Sequence, residues 1–426
     1  MIETLKNAWR IPDLRKRMIF TMFILMVFRF GSVIPVPYIN FTALNSVFNQ
    51  YRDTLLGYFN VLSGGSLSKA TIFALSITPY INSSIIMQLL TVAIPALERM
   101  VKDGGEEGQK KLASITRVVT IAIGLIMGFA YYTMLRSSGI LNDKSAWAAV
   151  VIILSFTAGT ALIMWLGEQI TEYGIGNGVS IILFAGIISR GPDMVTAGIQ
   201  LFQAGTINII STIGILAVAL AVVAFVVLMQ NSERRIPVQY AKRVVGRKMY
   251  GGQSTHLPLK VNMSGVMPII FASSILQMPG TIAAFLNPKP GTFWYGFEQF
   301  FSYRSVFYMI LYFLLIIGFA YFYSAIQFNP IEVANNLRKN GGFIPGFRPG
   351  KPTSDFIAKV LGKVTFIGAL FLGVIAILPL AMGAFAGLSS IAIGGTSILI
   401  VVGVALETVQ QIEAQMLMRH YKGFLE

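Results

Sequence analysis

Ten apolar runs, each about as long as a bilayer is thick, constrain this chain more than any single residue does. They lie near 18–36, 70–94, 114–135, 146–167, 178–198, 207–229, 263–286, 305–327, 356–380 and 384–407. An α-helix rises about 1.5 Å per residue, so about 20 apolar residues cross the hydrocarbon core. Within lipid, every backbone N–H and C=O needs a partner inside the protein, which favours helices for runs of this length. Composition agrees: of 426 residues, 55% are hydrophobic and 12% charged, where a soluble domain would carry about 25% charge. The expected fold is an all-α, polytopic membrane protein with ten transmembrane helices.

One stretch departs from the simple pattern. Residues 55–62 are apolar but too short to span, and Ser63-Gly64-Gly65-Ser66 breaks them from the run that follows. A short apolar piece beside a glycine break is tolerated at membrane depth where protein or a water-filled cavity surrounds it. A re-entrant packing element and a segment in the mouth of a pore both meet that condition. At about 100° per residue, Thr78, Ile81, Asn82, Ile85 and Gln88 share one face of the next helix. Amides set among isoleucines suit either a wet passage narrowed by bulky side chains or hydrogen bonding between helices.

Charge gives the orientation. Of the 33 Lys and Arg, 25 fall on the side holding both termini and the loops after runs 2, 4, 6 and 8, against seven on the other side. The positive-inside rule therefore puts both termini in the cytoplasm. The remaining cation, Arg29, lies inside the first run, where snorkelling or pairing with backbone carbonyls is expected. Residues 1–17 form a basic, amphipathic cytoplasmic segment suited to the interface rather than a targeting peptide. The division that follows is an N-terminal half at 18–200, a cytoplasmic loop at 230–262 and a C-terminal half at 207–407. A second cytoplasmic loop, at 329–355, interrupts that half, and a cytoplasmic tail at 408–426 ends the chain. Five runs per half flips the second half relative to the first, as in inverted repeats.

Both long loops mix cations with apolar residues. Glu233 to Tyr240 alternates in a way that suggests a β-hairpin or extended arm, and Gly346 and Pro349 flank a turn that displays Arg348. Solvated positive-inside loops account for the charge. A docking surface for an acidic or RNA-rich partner accounts for the interleaved aliphatic and aromatic residues as well.

Several chemistries are excluded. There is no cysteine, and the two histidines, His256 and His420, fall in cytoplasmic segments. No cluster has metal-ligand spacing, and no nucleophile elbow, Walker loop or His-Glu-x-x-His motif occurs. Glu98, Glu168, Glu172, Glu332 and Glu407 are expected at helix ends or in loops, so no carboxylate is placed at the midplane for ion coupling. A passive conduit powered from outside is the first reading. A secondary transporter with inverted five-helix repeats is the rival, with Asn82 and Gln88 as its candidate polar ligands. An intramembrane hydrolase lacks a nucleophile and a base.

The chain resembles the SecY family, the channel subunit of the bacterial protein translocase. The resemblance is carried by Ile34-Pro35-Val36-Pro37, Phe59 to Gly65, Pro79 to Leu90, Ile175-Gly176-Asn177-Gly178, Arg234 to Tyr240, Pro345 to Gly350 and Gly394-Gly395-Thr396-Ser397. It implies two inverted five-helix halves around a central pore closed by a short re-entrant plug helix at 55–66, including Tyr58, Phe59, Asn60, Val61, Leu62, Ser63, Gly64 and Gly65. By motif alignment the pore ring falls on Ile81, Ile85, Val179, Leu183, Ile270 and Ile400, where Val179 and Leu183 depart from the family's usual isoleucines. Runs 2, 3, 7 and 8 correspond to the lateral gate, with Asn82, Gln88, Ser273 and Ser274 as candidate gate residues. Partner docking falls on Arg234, Arg235, Tyr240, Lys242, Arg243, Arg247, Lys248 and Arg348. The implied activity is passage of unfolded preproteins across the bacterial cytoplasmic membrane, with sideways release of signal sequences and membrane segments into the lipid bilayer. The implied partners are the membrane subunits SecE and SecG, the SecA ATPase motor and the ribosome, and no cofactor or metal is expected.

Overall fold

The computed structural model describes residues 2–50, 60, 63–203, 209–240, 243–245, 248–250, 254–285, 296, 300–301, 305–386 and 389–422. Its helices are α1 (Ile2–Arg10), α2 (Pro12–Gly31), α3 (Phe41–Gln50), α4 (Thr78–Ala93), α5 (Pro95–Asp103), α6 (Gly105–Ser137), α7 (Ala146–Tyr173), α8 (Gly178–Ile188), α9 (Gly191–Gln203) and α10 (Ile209–Asn231). They continue with α11 (Met267–Phe285), α12 (Val306–Gln327), α13 (Pro330–Lys339), α14 (Lys351–Ala386) and α15 (Ser389–Lys422). Five strands lie between α10 and α14: β1 (Glu233–Tyr240), β2 (Arg243–Val245), β3 (Lys248–Tyr250), β4 (Ser254–Lys260) and β5 (Gly342–Phe343). Each of the ten apolar runs meets a helix. Among the described residues, six helices are long and apolar enough to cross a membrane, or seven counting a bent pair, and α8 and the Met267–Leu276 part of α11 are shorter apolar helices.

Local chemistry explains several boundaries. Asn177 accepts the amides of Val179 and Ser180 at 3.1 and 3.4 Å and so starts α8, and Asn329 does the same for α13 through Ile331 and Glu332. Ser145 caps α7 through the Ala148 amide at 3.2 Å. The expected fifth run is interrupted at Ser189-Arg190, just before Gly191-Pro192 opens α9. Pro95 occupies the first turn of α5 after an extended Ile94, and the α4–α5 pair bends there by 102°.

The second run differs most from expectation. Its helix begins at Thr78 rather than near 70, because residues 63–77 form successive turns. Ala70 and Ser76 have positive φ, 41° and 54°, which a continuous helix does not allow. The segment finds its backbone partners elsewhere: Val36 N donates to Ala70 O and Ile72 N to Ile34 O, each at 3.0 Å. The Tyr131 hydroxyl donates to Leu67 O at 2.7 Å. Its apolar residues are buried by packing: Phe73 stacks on Phe28 with centroids 5.8 Å apart, and Ile77 is fully buried. Gly159 of α7 backs directly onto it, since a Cβ there would lie 1.8 Å from Ile72 O.

The described parts of the two long loops, 230–262 and 329–355, form one unit. β1 pairs antiparallel with β4, from Glu233 opposite Lys260 to Gln239 opposite Ser254, and β5 adds through Tyr240 opposite Gly342. Ile236, Val238, Leu259, Leu337, Ile344 and Ile357 share a small core beneath the sheet. That core joins the hairpin to α13 and the start of α14. A second short ribbon pairs β2 with β3.

Candidate functional site

The central cluster of the molecule draws on both halves of the chain. Ile81 and Ile85 of α4, Leu183 of α8, Ile270 of α11 and Ile400 of α15 belong to it, each no more than 5% exposed, and Val179 packs against it half-buried. Helices separated by as many as three hundred residues thus bring the six expected ring positions to one contiguous apolar mass. Bulky side chains of this kind seal by excluding water and can yield to a larger passing group, because they offer no fixed charge or directional bond.

The polar members of α4's inner face separate into two kinds. Gln88 is engaged: its Nε2 donates to Ser84 Oγ at 3.3 Å, and the Tyr323 hydroxyl of α12 donates to its Oε1. Asn82 is 95% buried, yet its Oδ1 has no hydrogen-bond partner among the described residues. A buried acceptor left unpaired costs about 1–3 kcal/mol, so a role as helix-packing glue explains Gln88 but not Asn82. Ser273 is buried and donates to Ile270 O at 2.8 Å, while Ser274 is half-buried.

The seam at Gln88 is unequal on its two sides. Toward α6, Ser83 Oγ donates to Thr116 O at 3.0 Å and the Thr120 hydroxyl donates to Ser83 Oγ at 2.9 Å. Arg117 of α6 in turn pairs with Glu168 of α7 at 2.9 Å. Toward α12, the Tyr323–Gln88 bond sits beside an aromatic group in which Phe271 of α11 contacts Phe319 and Tyr323. Tyr323 was invisible to sequence reasoning, since it lies 235 residues from its partner and no local pattern links them.

Of the expected plug residues, Tyr58, Phe59, Val61 and Leu62 lie outside the described residues. Asn60 is buried, with its carbonyl accepting Gly65 N at 2.8 Å and its Oδ1 accepting Ser68 N at 2.9 Å. Gly64, at φ +66°, rests on the end of α8, where an added Cβ would lie 2.9 Å from Ser189 Oγ and 3.0 Å from Gly186 O. Arg29, exposed as snorkelling requires, reaches the same place: its Nη1 donates to Ser189 Oγ, a side-chain hydroxyl, at 3.1 Å.

On the hairpin unit, Arg234 and Arg235 are exposed, with Arg235 paired to Glu233 at 2.7 Å, and Tyr240 packs against Gly342. The backbone of Arg243 and Lys248 lies in the β2–β3 ribbon, and Lys242 and Arg247 lie outside the described residues. Arg348 is exposed between Gly346 (φ 87°) and Gly350 (φ 105°), and its carbonyl accepts the Thr353 hydroxyl at 2.8 Å. The neighbouring Phe347 stacks on Phe356 at 4.1 Å, which anchors the turn.

Glu407 corrects one expectation. It lies inside α15, not at a helix end, because α15 continues to Lys422. Its carboxylate sits 3.8 Å from the Cβ position of Gly265, next to the Asn262–Gly265 turn that follows the hairpin. It borders the apolar cluster, to which Val404, one turn earlier, and Val266, beside Gly265, belong.

The bundle has several membrane-length helices around an apolar cluster, and comparison with known proteins places it in the class of protein-conducting membrane channels. The SecY family model matches residues 71–409, and the chain belongs to the SecY family. It is 44% identical over 436 residues to the protein translocase subunit SecY of Thermotoga maritima, covering 100% of this chain and 98% of that protein. A solved protein conducting channel shares its fold with a TM-score of 0.68 at 18% identity, covering 97% of each chain. Sec61 in a canine ribosome–channel complex from the endoplasmic reticulum does so with a TM-score of 0.64 at 17% identity, again over 97% of each chain. The protein is a protein-conducting channel subunit and not an enzyme, and the transporter reading is not favoured.

Proposed function

We propose that this chain forms the closed pore of a bacterial cytoplasmic-membrane translocase, with both termini in the cytoplasm. Unfolded preproteins cross it between the two halves, and Ile81, Ile85, Val179, Leu183, Ile270 and Ile400 form the seal. The observation that carries the reading is the meeting of these positions, five of them buried in one cluster and Val179 half-buried against it. Asn82 supports it: an unpaired buried acceptor is costly in a static core but is satisfied by water or a passing peptide once the cluster parts.

Residues 55–66 act as the plug, supported by Gly64 resting against Ser189 and Gly186. The seam between α4 and α12 is the lateral gate. A signal helix gains about 0.3–0.6 kcal/mol for each central Leu, Ile, Phe or Val that moves into lipid, so sideways release needs an opening and no chemistry. The cytoplasmic unit, with Arg234, Arg235 and Arg348 exposed, is the docking face for the SecA motor and for the ribosome. Ribosome docking is supported by the shared fold with Sec61 of the canine ribosome–channel complex. SecE and SecG are the proposed membrane partners. Vesicles holding this chain with those two subunits are expected to import a signal-bearing preprotein when SecA and ATP are supplied. Absence of import by the complete, correctly inserted set would refute the assignment.

A further inference from the structure

Helix α8 supplies two of the ring positions, Val179 and Leu183, yet it is only 11 residues long. At about 1.5 Å per residue it covers about 16 Å, roughly half the hydrocarbon core, so the bilayer does not fix its depth. A slide of one residue along its neighbours would turn it by about 100° and carry both side chains off the cluster. What holds it is the turn at 174–178.

Neighbouring helices grip that turn. Thr21 of α2 accepts the Ile175 amide on its Oγ1 at 3.1 Å, and its hydroxyl donates to Arg17 O at 3.0 Å. Thr171 of α7 accepts the Gly178 amide at 3.0 Å and donates to Gly167 O at 3.0 Å. Ile175 itself is buried in a small cluster with Ala8, Leu14 and Ile412, drawn from α1, α2 and α15. Two glycines let the backbones meet: a Cβ at Gly174 would lie 2.5 Å from Thr21 Oγ1, and one at Gly178 would lie 1.8 Å from Gly167 O. Asn177 is an ordinary cap serving the first turn of its own helix. The two threonines differ, because they reach in from other helices to amides at or before the start of α8. Thr21 and Ile175 are both buried, so water does not take over their bond.

We propose that Thr21 and Thr171 are positioning residues of the pore: they set the depth of α8 and thereby hold Val179 and Leu183 in the ring, an inference that rests on the ring reading above. The chain has no cysteine, so Leu183→Cys places a single thiol at a position 2% exposed. In the full chain reconstituted in vesicles, that thiol reacts with a water-soluble maleimide at a rate set by how often α8 leaves its seat. An amide that loses its buried acceptor shifts such a balance about fivefold or more. T21V and T171V are therefore each expected to speed labelling by at least about fivefold, with T21S and T171S at the parent rate. T365V removes a similarly buried hydroxyl bond, between Ser324 of α12 and Thr365 of α14 at 2.9 Å, and is expected to leave the rate unchanged. Parent-rate labelling in both valine variants, failure of serine to restore it, or equal acceleration by T365V would each overturn the proposal. Resting ion leak of the same samples separates it from the ring reading: faster labelling with a leak at the parent level would remove Leu183 from the seal and leave the anchoring of α8 in place.

Discussion

Tyr323→Phe removes one hydroxyl from a buried ring and nothing else, and so isolates the bond across the seam between α4 and α12. That hydroxyl donates to Gln88 Oε1, and Gln88 keeps its own contact with Ser84 after the change. Hydrogen bonds between membrane helices average about 0.6 kcal/mol, with about 1.7 as the upper end. The closed-to-open ratio therefore falls about threefold, and at most about eighteenfold. The same energy has a direct equivalent in substrate hydrophobicity. At about 0.3–0.6 kcal/mol per central leucine, 0.6 kcal/mol equals one to two leucines. A series of test segments with graded leucine content, scored for membrane insertion against full translocation, is expected to reach half-insertion with one to two fewer leucines in the variant. Gln88→Met should shift the series similarly, and the double variant no further than either single. An unshifted threshold in Tyr323→Phe, or fully additive shifts, would show that the bond does not hold the seam.

Two other perturbations test separate parts. Arg348→Glu places a carboxylate on the exposed turn between Gly346 and Gly350, and is expected to abolish SecA-driven import while leaving the chain's yield and its copurifying subunits unchanged; normal import in vesicles would remove Arg348 from the docking face. Gly159→Ala forces a Cβ to within 1.8 Å of Ile72 O, and overpacking of this kind costs about 1–3 kcal/mol, so the thermal midpoint in detergent should fall by several degrees, whereas an unchanged midpoint would show that residues 63–77 do not rest on α7 as described.

Where hydropathy and turn chemistry act locally, sequence and structure agree. Each of the ten runs lands on a helix, and Glu233 to Tyr240 forms a strand of the antiparallel pair that its alternation suggests. The disagreement at 70–77 has a simple source. Leu75 and Ile77 are apolar because they are buried, and a hydropathy run does not distinguish a buried turn from a buried helix. The turn at Ala70, with its positive φ, is tied to residues 34 and 36, which lie far back in the chain. α15 continues past the apolar run to Lys422 for a related reason, since a helix leaving the membrane loses its apolar run but not its helical bonds. The ring positions followed from the family resemblance and now share one cluster. The cross-seam partner of Gln88 and the pairing of Arg29 with Ser189 are long-range contacts with no local signal.

The closed-state ion conductance of the reconstituted channel tests the aliphatic seal most directly. Ile81→Ser with Ile85→Ser replaces two side chains that are 5% and 2% exposed at the centre, while Ile126→Ser, at a position 68% exposed on α6, serves as the control. The account predicts a marked rise in resting leak for the central pair and none for the control. A closed conductance that stays at the wild-type level in the central pair would contradict it.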